Sequence, residues 1–100
     1  MLKHIVMWKL KDFAEGADRA ANAAKMKSLL EAMSGKVPGL LKLEVGLATP
    51  GLEATCDVVL DCEFTDAAAL AAYQNHPEHV AMKPFIGAIR EARQVVDYQV

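Results

Sequence analysis

Residues 56–64 alternate so regularly that they fix one wall of the fold. Cys56, Val58, Leu60, Cys62 and Phe64 fall on one side, and Asp57, Asp61 and Glu63 on the other, with Val59 the one apolar residue among the acids. A period of two marks a strand with one face against a core. Such a strand needs a covering layer over its apolar face, so the rest of the chain has to supply one.

Three more segments share that period. Residues 3–10 place His4, Val6, Trp8 and Leu10 on one face and Lys3, Ile5, Met7 and Lys9 on the other. Residues 40–48 set Leu41, Leu43, Val45 and Leu47 against Lys42, Glu44 and Gly46, and residues 92–99, with Val95, Val96 and Tyr98, close the chain as a last strand. Between these segments the period lengthens. Over residues 17–35, Ala23, Met26, Leu30 and Met33 recur at three- and four-residue steps, and Val37 continues the series. That predicts an amphipathic helix, with Asp18 as its N-cap and Gly35 as a left-handed C-cap. Val37-Pro38-Gly39 is the turn that follows. Thr65 or Asp66 caps a second helix running to about Asn75, which carries Leu70 and Tyr73 one turn apart. His76-Pro77 interrupts it, because a residue before proline is biased out of the helical region. Pro77 then opens a second, shorter helical turn with Val80, Met82 and Phe85 on its apolar side.

The order is strand, helix, strand, strand, helix, strand. This predicts one α+β domain over residues 1–100: a ferredoxin-like βαββαβ unit with a four-stranded antiparallel sheet and the helices on one face. Right-handed crossovers put the first and third strands in the centre. The uncovered face then carries Ile5, Met7 and Val59 among Lys3, Lys9, Asp57, Asp61 and Glu63. Sheet-to-sheet packing of two copies would cover it, so a homodimer is expected.

A formal charge of −2 without a basic run argues against nucleic acid as a partner. No apolar stretch approaches the roughly 20 residues of a membrane span. Met1-Leu2-Lys3-His4-Ile5 lacks the apolar core of a signal peptide, so a cytoplasmic protein is expected. If residues 56–62 are one strand, Cys56 and Cys62 are roughly 20 Å apart at ~3.3 Å per residue. That is too far for a disulfide, and free, buried thiols suit a reducing compartment.

Several motifs together resemble one family. They are Lys3-His4-Ile5-Val6, Val37-Pro38-Gly39-Leu40, Leu43-Glu44-Val45-Gly46, Phe64 followed by Asp66, Tyr73-Gln74-Asn75-His76-Pro77-Glu78-His79, and Val96-Asp97-Tyr98. The chain resembles the stress-responsive dimeric α/β-barrel domain from about residue 2 to 98. The resemblance implies two sheets joined in one barrel. It implies a reaction far less, since the family includes proteins of no known activity, stress-induced assemblies and a plant polyketide cyclase working by aldol chemistry.

His4, Tyr73 and His79 are all expected to face the space between sheet and helices. Histidine exchanges protons near neutral pH, and a tyrosine hydroxyl can position a histidine or a carbonyl oxygen. By resemblance to the cyclase, His79 would be the base, and Tyr73 and His4 would bind and orient substrate. Val6, Trp8, Val58, Leu60, Met82 and Phe85 are the expected apolar lining, with bulky Trp8 standing where a ligand would sit. Each of the three polar residues also fits a purely structural role, and His76 fits a helix cap or a surface site. A metal held by His76, His79 and His4 is disfavoured because Pro77 breaks the helical path between the first two. No dinucleotide or phosphate-loop motif points to a cofactor, and none is expected. Three functions stay open: a small hydrophobic-molecule enzyme, a non-enzymatic stress or assembly protein, and a small monooxygenase of the same superfamily.

Overall fold

The computed structural model describes residues 1–100. Its principal sheet is built from β1 (Leu2–Leu10), β4 (Leu40–Leu47), β5 (Val58–Phe64) and β6 (Arg90–Gln99), all antiparallel in the order β4-β5-β1-β6. The first and third of these strands therefore occupy the centre, as the crossover rule requires. Helices α1 (Arg19–Glu31), α2 (Ala67–Asn75) and α3 (Pro77–Ile89) cover one face. Alternation carries Val6 and Leu10 of β1 and Val58, Leu60, Cys62 and Phe64 of β5 to that side, each at most 2% exposed. Met26 and Leu30 of α1 and Tyr73 of α2 pack onto them as one core. No helix is long and apolar enough to cross a membrane.

Four local expectations are corrected. The helix expected from residue 17 starts at Arg19, because Phe13–Ala14 (β2) and Ala17–Asp18 (β3) form a small hairpin. Its loop, Glu15-Gly16, has φ of 51° and 75°, the left-handed pair that a tight two-residue hairpin requires. Asn22 ties the hairpin to α1 by donating to the carbonyls of Ala14 (2.9 Å) and Ala17 (3.3 Å). Asp18 is the N-cap as expected, accepting from the Ala21 amide at 2.8 Å. The helix ends at Glu31, so Gly35 (φ 77°) closes a turn beyond it.

Second, β4 departs from strict alternation. Leu40 pairs with Phe64 but Lys42 with Glu63, so Leu41 is an extra residue in the ladder. Such a bulge shifts the alternation. Leu40, not Leu41, shares the helix side with Leu43 and Val45, and Leu41 is exposed. Third, the segment after Pro77 is a 13-residue helix, longer than α2. It runs through Pro84 because Met82 and Ile89 anchor it on either side of the lost backbone bond.

Fourth, Cys56 and Asp57 precede β5, so the two cysteines do not share a strand; both are free. Asp57 is a brace instead of an open-face charge. Its carboxylate accepts from the Leu10 amide at 2.7 Å and stands 3.9 Å from Arg19 Nη1. Asp57→Ala leaves the Leu10 amide without its acceptor, and about 1–3 kcal/mol of stability should be lost. The midpoint of urea unfolding measures this.

The opposite sheet face is uncovered. Met7 lies across from Val59, and Ile5 across from Val96. Met7, Val59, Val96 and Tyr98 are all exposed, as is every residue of β6. Charges frame this strip: Lys3 stands 3.7 Å from Asp61 and 3.6 Å from Glu63, and Lys42 is 3.3 Å from Asp61.

Candidate functional site

Two chain features assemble the site. The alternation of β1 turns His4 inward, between Cys62 of β5 and Asp97 of β6 in the ladder. His4 is 3% exposed, and its Nδ1 is hydrogen-bonded to Asp97 Oδ1. A carboxylate oxygen accepts, so Nδ1 is the nitrogen that donates in this pair. The second feature is the break between α2 and α3. Asp66 caps α2 by accepting from the Ala69 amide at 2.9 Å. His76 is extended (φ −61°, ψ 137°), and its Nδ1 accepts from the Glu78 amide at 3.1 Å to cap α3. The bend brings His79, in the first turn of α3, back over Tyr73 of α2.

The result is a cluster of four rings. Tyr73 and His79 meet edge to face at 4.7 Å, Phe64 lies 5.4 Å from Tyr73, and His4 lies 6.4 Å from both Phe64 and Tyr73. Tyr73 is fully buried with its hydroxyl unpartnered, and Nδ1 of His79 is buried without a partner.

Beside the cluster, between α3 and the sheet, is a cavity of about 310 Å³. His4, Val6, Trp8, Leu60, His79 and Met82 line it, so space remains beside Trp8. Tyr73, Val58 and Phe85 do not reach it. Tyr73 stands behind His79. Val58 is core, paired with Trp8 near the end of β1. Phe85 turns towards α1, where Lys25 Nζ lies 4.3 Å from its ring centre. Asp97, Lys83, Arg90 and Arg93 are not among the expected site residues, yet the first holds His4 and the other three border the cavity. The register of β6 against β1 was the missing signal, since it pairs Asp97 with His4 and Arg93 with Trp8. No group of three or more His, Cys, Asp or Glu side chains converges as a metal site would require.

Burial is the main cause holding the His79 pKa below 6.5; Lys83, His4 and Arg93 add to this, and the Gln74 backbone opposes it. Burial likewise pushes the Tyr73 hydroxyl far above its usual range and the Cys62 thiol up to about 12. At neutral pH, His79 is thus an uncharged base, Tyr73 keeps its proton and Cys62 is unreactive. Because the folded pKa of His79 lies below the unfolded value, only the unfolded chain takes up this proton as pH first drops under about 6.5. His79 therefore reduces stability progressively as pH falls from there through its folded pKa. Titration of the His79 imidazole by NMR should give a midpoint below 6.5.

Sheet order, one-sided helices and an inward histidine define the class: a ferredoxin-like α+β domain with a cavity between its layers. The chain belongs to the stress-responsive A/B barrel domain family, whose sequence model spans residues 2–100. It is similar to a structure from Bacteroides fragilis described as a dimeric protein of unknown function with a ferredoxin-like fold, at 34% identity and TM-score 0.83, covering 99% of this chain and 95% of that one. A Dabb family protein from Mesorhizobium loti with a ferredoxin-like fold is 24% identical, with TM-score 0.69 over 99% and 95% of the two chains. A putative antibiotic biosynthesis monooxygenase from Nitrosomonas europaea is 16% identical, with TM-score 0.79 over 100% and 98%. The last two likenesses show the fold alone. Among curated proteins none matches the sequence significantly.

Proposed function

We propose that the protein is a homodimer, joined sheet to sheet, in which each subunit binds a small, largely apolar carbonyl compound and His79 removes a proton next to the carbonyl. One observation carries the catalytic part: the His79 imidazole, uncharged at neutral pH, stands in the cavity wall beside His4 and the apolar side chains of Val6, Leu60 and Met82. In the step, the C–H bond breaks, its electron pair moves to give the enolate, and the proton passes to His79. His4, fixed by Asp97, can hydrogen-bond the developing oxyanion once protonated or bind a substrate hydroxyl when neutral. Tyr73 acts as a positioning residue, setting the His79 ring by edge-to-face packing.

The dimer reading rests on the exposed apolar strip and on structural relatives described as dimeric. The free thiols of Cys56 and Cys62 favour a cytoplasmic setting.

Deuterium exchange at the α-carbon of hexyl methyl ketone in heavy water, followed by NMR, tests the catalytic assignment. Wild-type protein should accelerate exchange, and His79→Gln should remove about 10²–10⁴-fold of that rate while leaving the circular dichroism spectrum unchanged. An unchanged rate in the variant would exclude His79 as the base.

A further inference from the structure

The cavity has two chemically different sides. Its floor is apolar, with Val6 and Trp8 of β1, Leu60 of β5 and Met82 of α3. Its other border carries three full cations: Lys83 on α3, Arg90 where α3 passes into β6, and Arg93 on β6. None of the three has a carboxylate within ion-pairing distance. The acids of nearby sequence are engaged elsewhere: Asp97 with His4, Glu91 with Lys9 at 3.7 Å, and Glu78 with Lys36. In a chain of net charge −2, three unpaired cations around one cavity are a local reversal of sign. Such an arrangement raises the local concentration of anions and lowers the cost of bringing one in. Two of them are arginines, whose planar fork matches a carboxylate. The indole Nε1 of Trp8, a donor only, is also buried without a partner.

We infer that the cavity takes an amphipathic monocarboxylate, its carboxylate held by Lys83, Arg90 and Arg93 and its apolar body laid against Trp8, Leu60 and Met82. This rests on the cavity being the ligand site proposed above, and it adds the charge of the ligand. At about 30 Å³ per water-sized group, the volume admits on the order of ten non-hydrogen atoms, the size of a medium-chain or aryl-substituted acid. The cations hold the carboxylate near the mouth, leaving the carbon chain beside His4 and His79.

Calorimetric titration with octanoate, octanol and octylamine, which share one apolar chain and differ in head charge, tests the inference. Octanoate should bind at least tenfold more tightly than octanol, octylamine should bind most weakly, and the octanoate preference should shrink as salt rises. The double variant Lys83→Gln, Arg93→Gln, which alters only exposed side chains, should bring octanoate down to the affinity of octanol without changing octanol binding. Equal binding of octanoate and octanol to the wild type, or a preference that survives the double variant, would overturn the inference while leaving the cavity as a ligand site. Octanoate binding without His79-dependent ketone exchange would uphold the inference and overturn the catalytic reading. Absence of binding by all three probes would overturn both the inference and the ligand site.

Discussion

Val59→Asp is expected to split the protein into single subunits. Val59 lies near the middle of the uncovered face, across from Met7 on β1 and Gly46 on β4. The new carboxylate would join Asp61 and Glu63 on the same side of β5, where Lys3 and Lys42 are already engaged by those acids. Two-fold symmetry brings the change into the interface twice. Burying an unpaired charge there costs several kcal/mol, enough to raise the dissociation constant by roughly 100-fold or more. Val59→Thr should leave the dimer largely intact. Sedimentation equilibrium distinguishes the 10.8 kDa subunit from its pair. Val59→Asp sedimenting as a dimer with wild-type affinity would mean that this face is not the interface.

Gly39→Val should cost the fold a large part of its stability. Gly39 has φ +87°, a region that costs a side-chain-bearing residue about 1–2 kcal/mol. Space is the second obstacle. A Cβ there would stand 2.6 Å from the Ala69 Cβ and 2.7 Å from Thr65 Oγ1. Ala69 is in the first turn of α2 and has no side-chain freedom to yield. The helix itself must move, and it carries Leu70 and Tyr73 into the core. Overpacking of this kind adds about 1–3 kcal/mol. The total, about 2–5 kcal/mol, is a large part of the 5–15 kcal/mol by which domains are typically stable. A fall of roughly 10–20 °C in the melting temperature is expected. Gly51→Ala is the control, since Gly51 has φ +88° but no neighbour within 4 Å. Only the backbone term applies there, so its loss should be about 1–2 kcal/mol. Equal losses in the two variants would show that α2 does not press on this turn.

The fold was legible where apolar spacing is strict. The alternation of residues 3–10 and 58–64 correctly assigned which side chains meet the helices, because a strand buried on one face tolerates no slip. The same reading failed at Leu41, where one extra residue inverts the faces and leaves no mark in the apolar pattern. It also missed the hairpin before α1, whose Glu15-Gly16 loop depends on a non-glycine residue adopting a left-handed backbone. The site was legible in part. Alternation brought His4, Val6, Trp8 and Leu60 to the cavity, and the helical step from Met82 to Phe85 placed both on the apolar side of α3. Only Met82 reaches the cavity, because α3 also packs against α1 and takes Phe85 there. Asp97, Arg90 and Arg93 were out of reach, since β6 is exposed throughout and has no buried pattern from which to read its faces.

The proposed function turns on an uncharged His79 accepting the proton in the cavity. The pH dependence of deuterium exchange into hexyl methyl ketone by the wild-type protein tests it most directly. The protein-dependent rate should hold level from mildly alkaline to neutral pH and fall only below about 6.5, as His79 takes up a proton. A rate no greater than that of buffer, or one that turns down above 6.5, would contradict it.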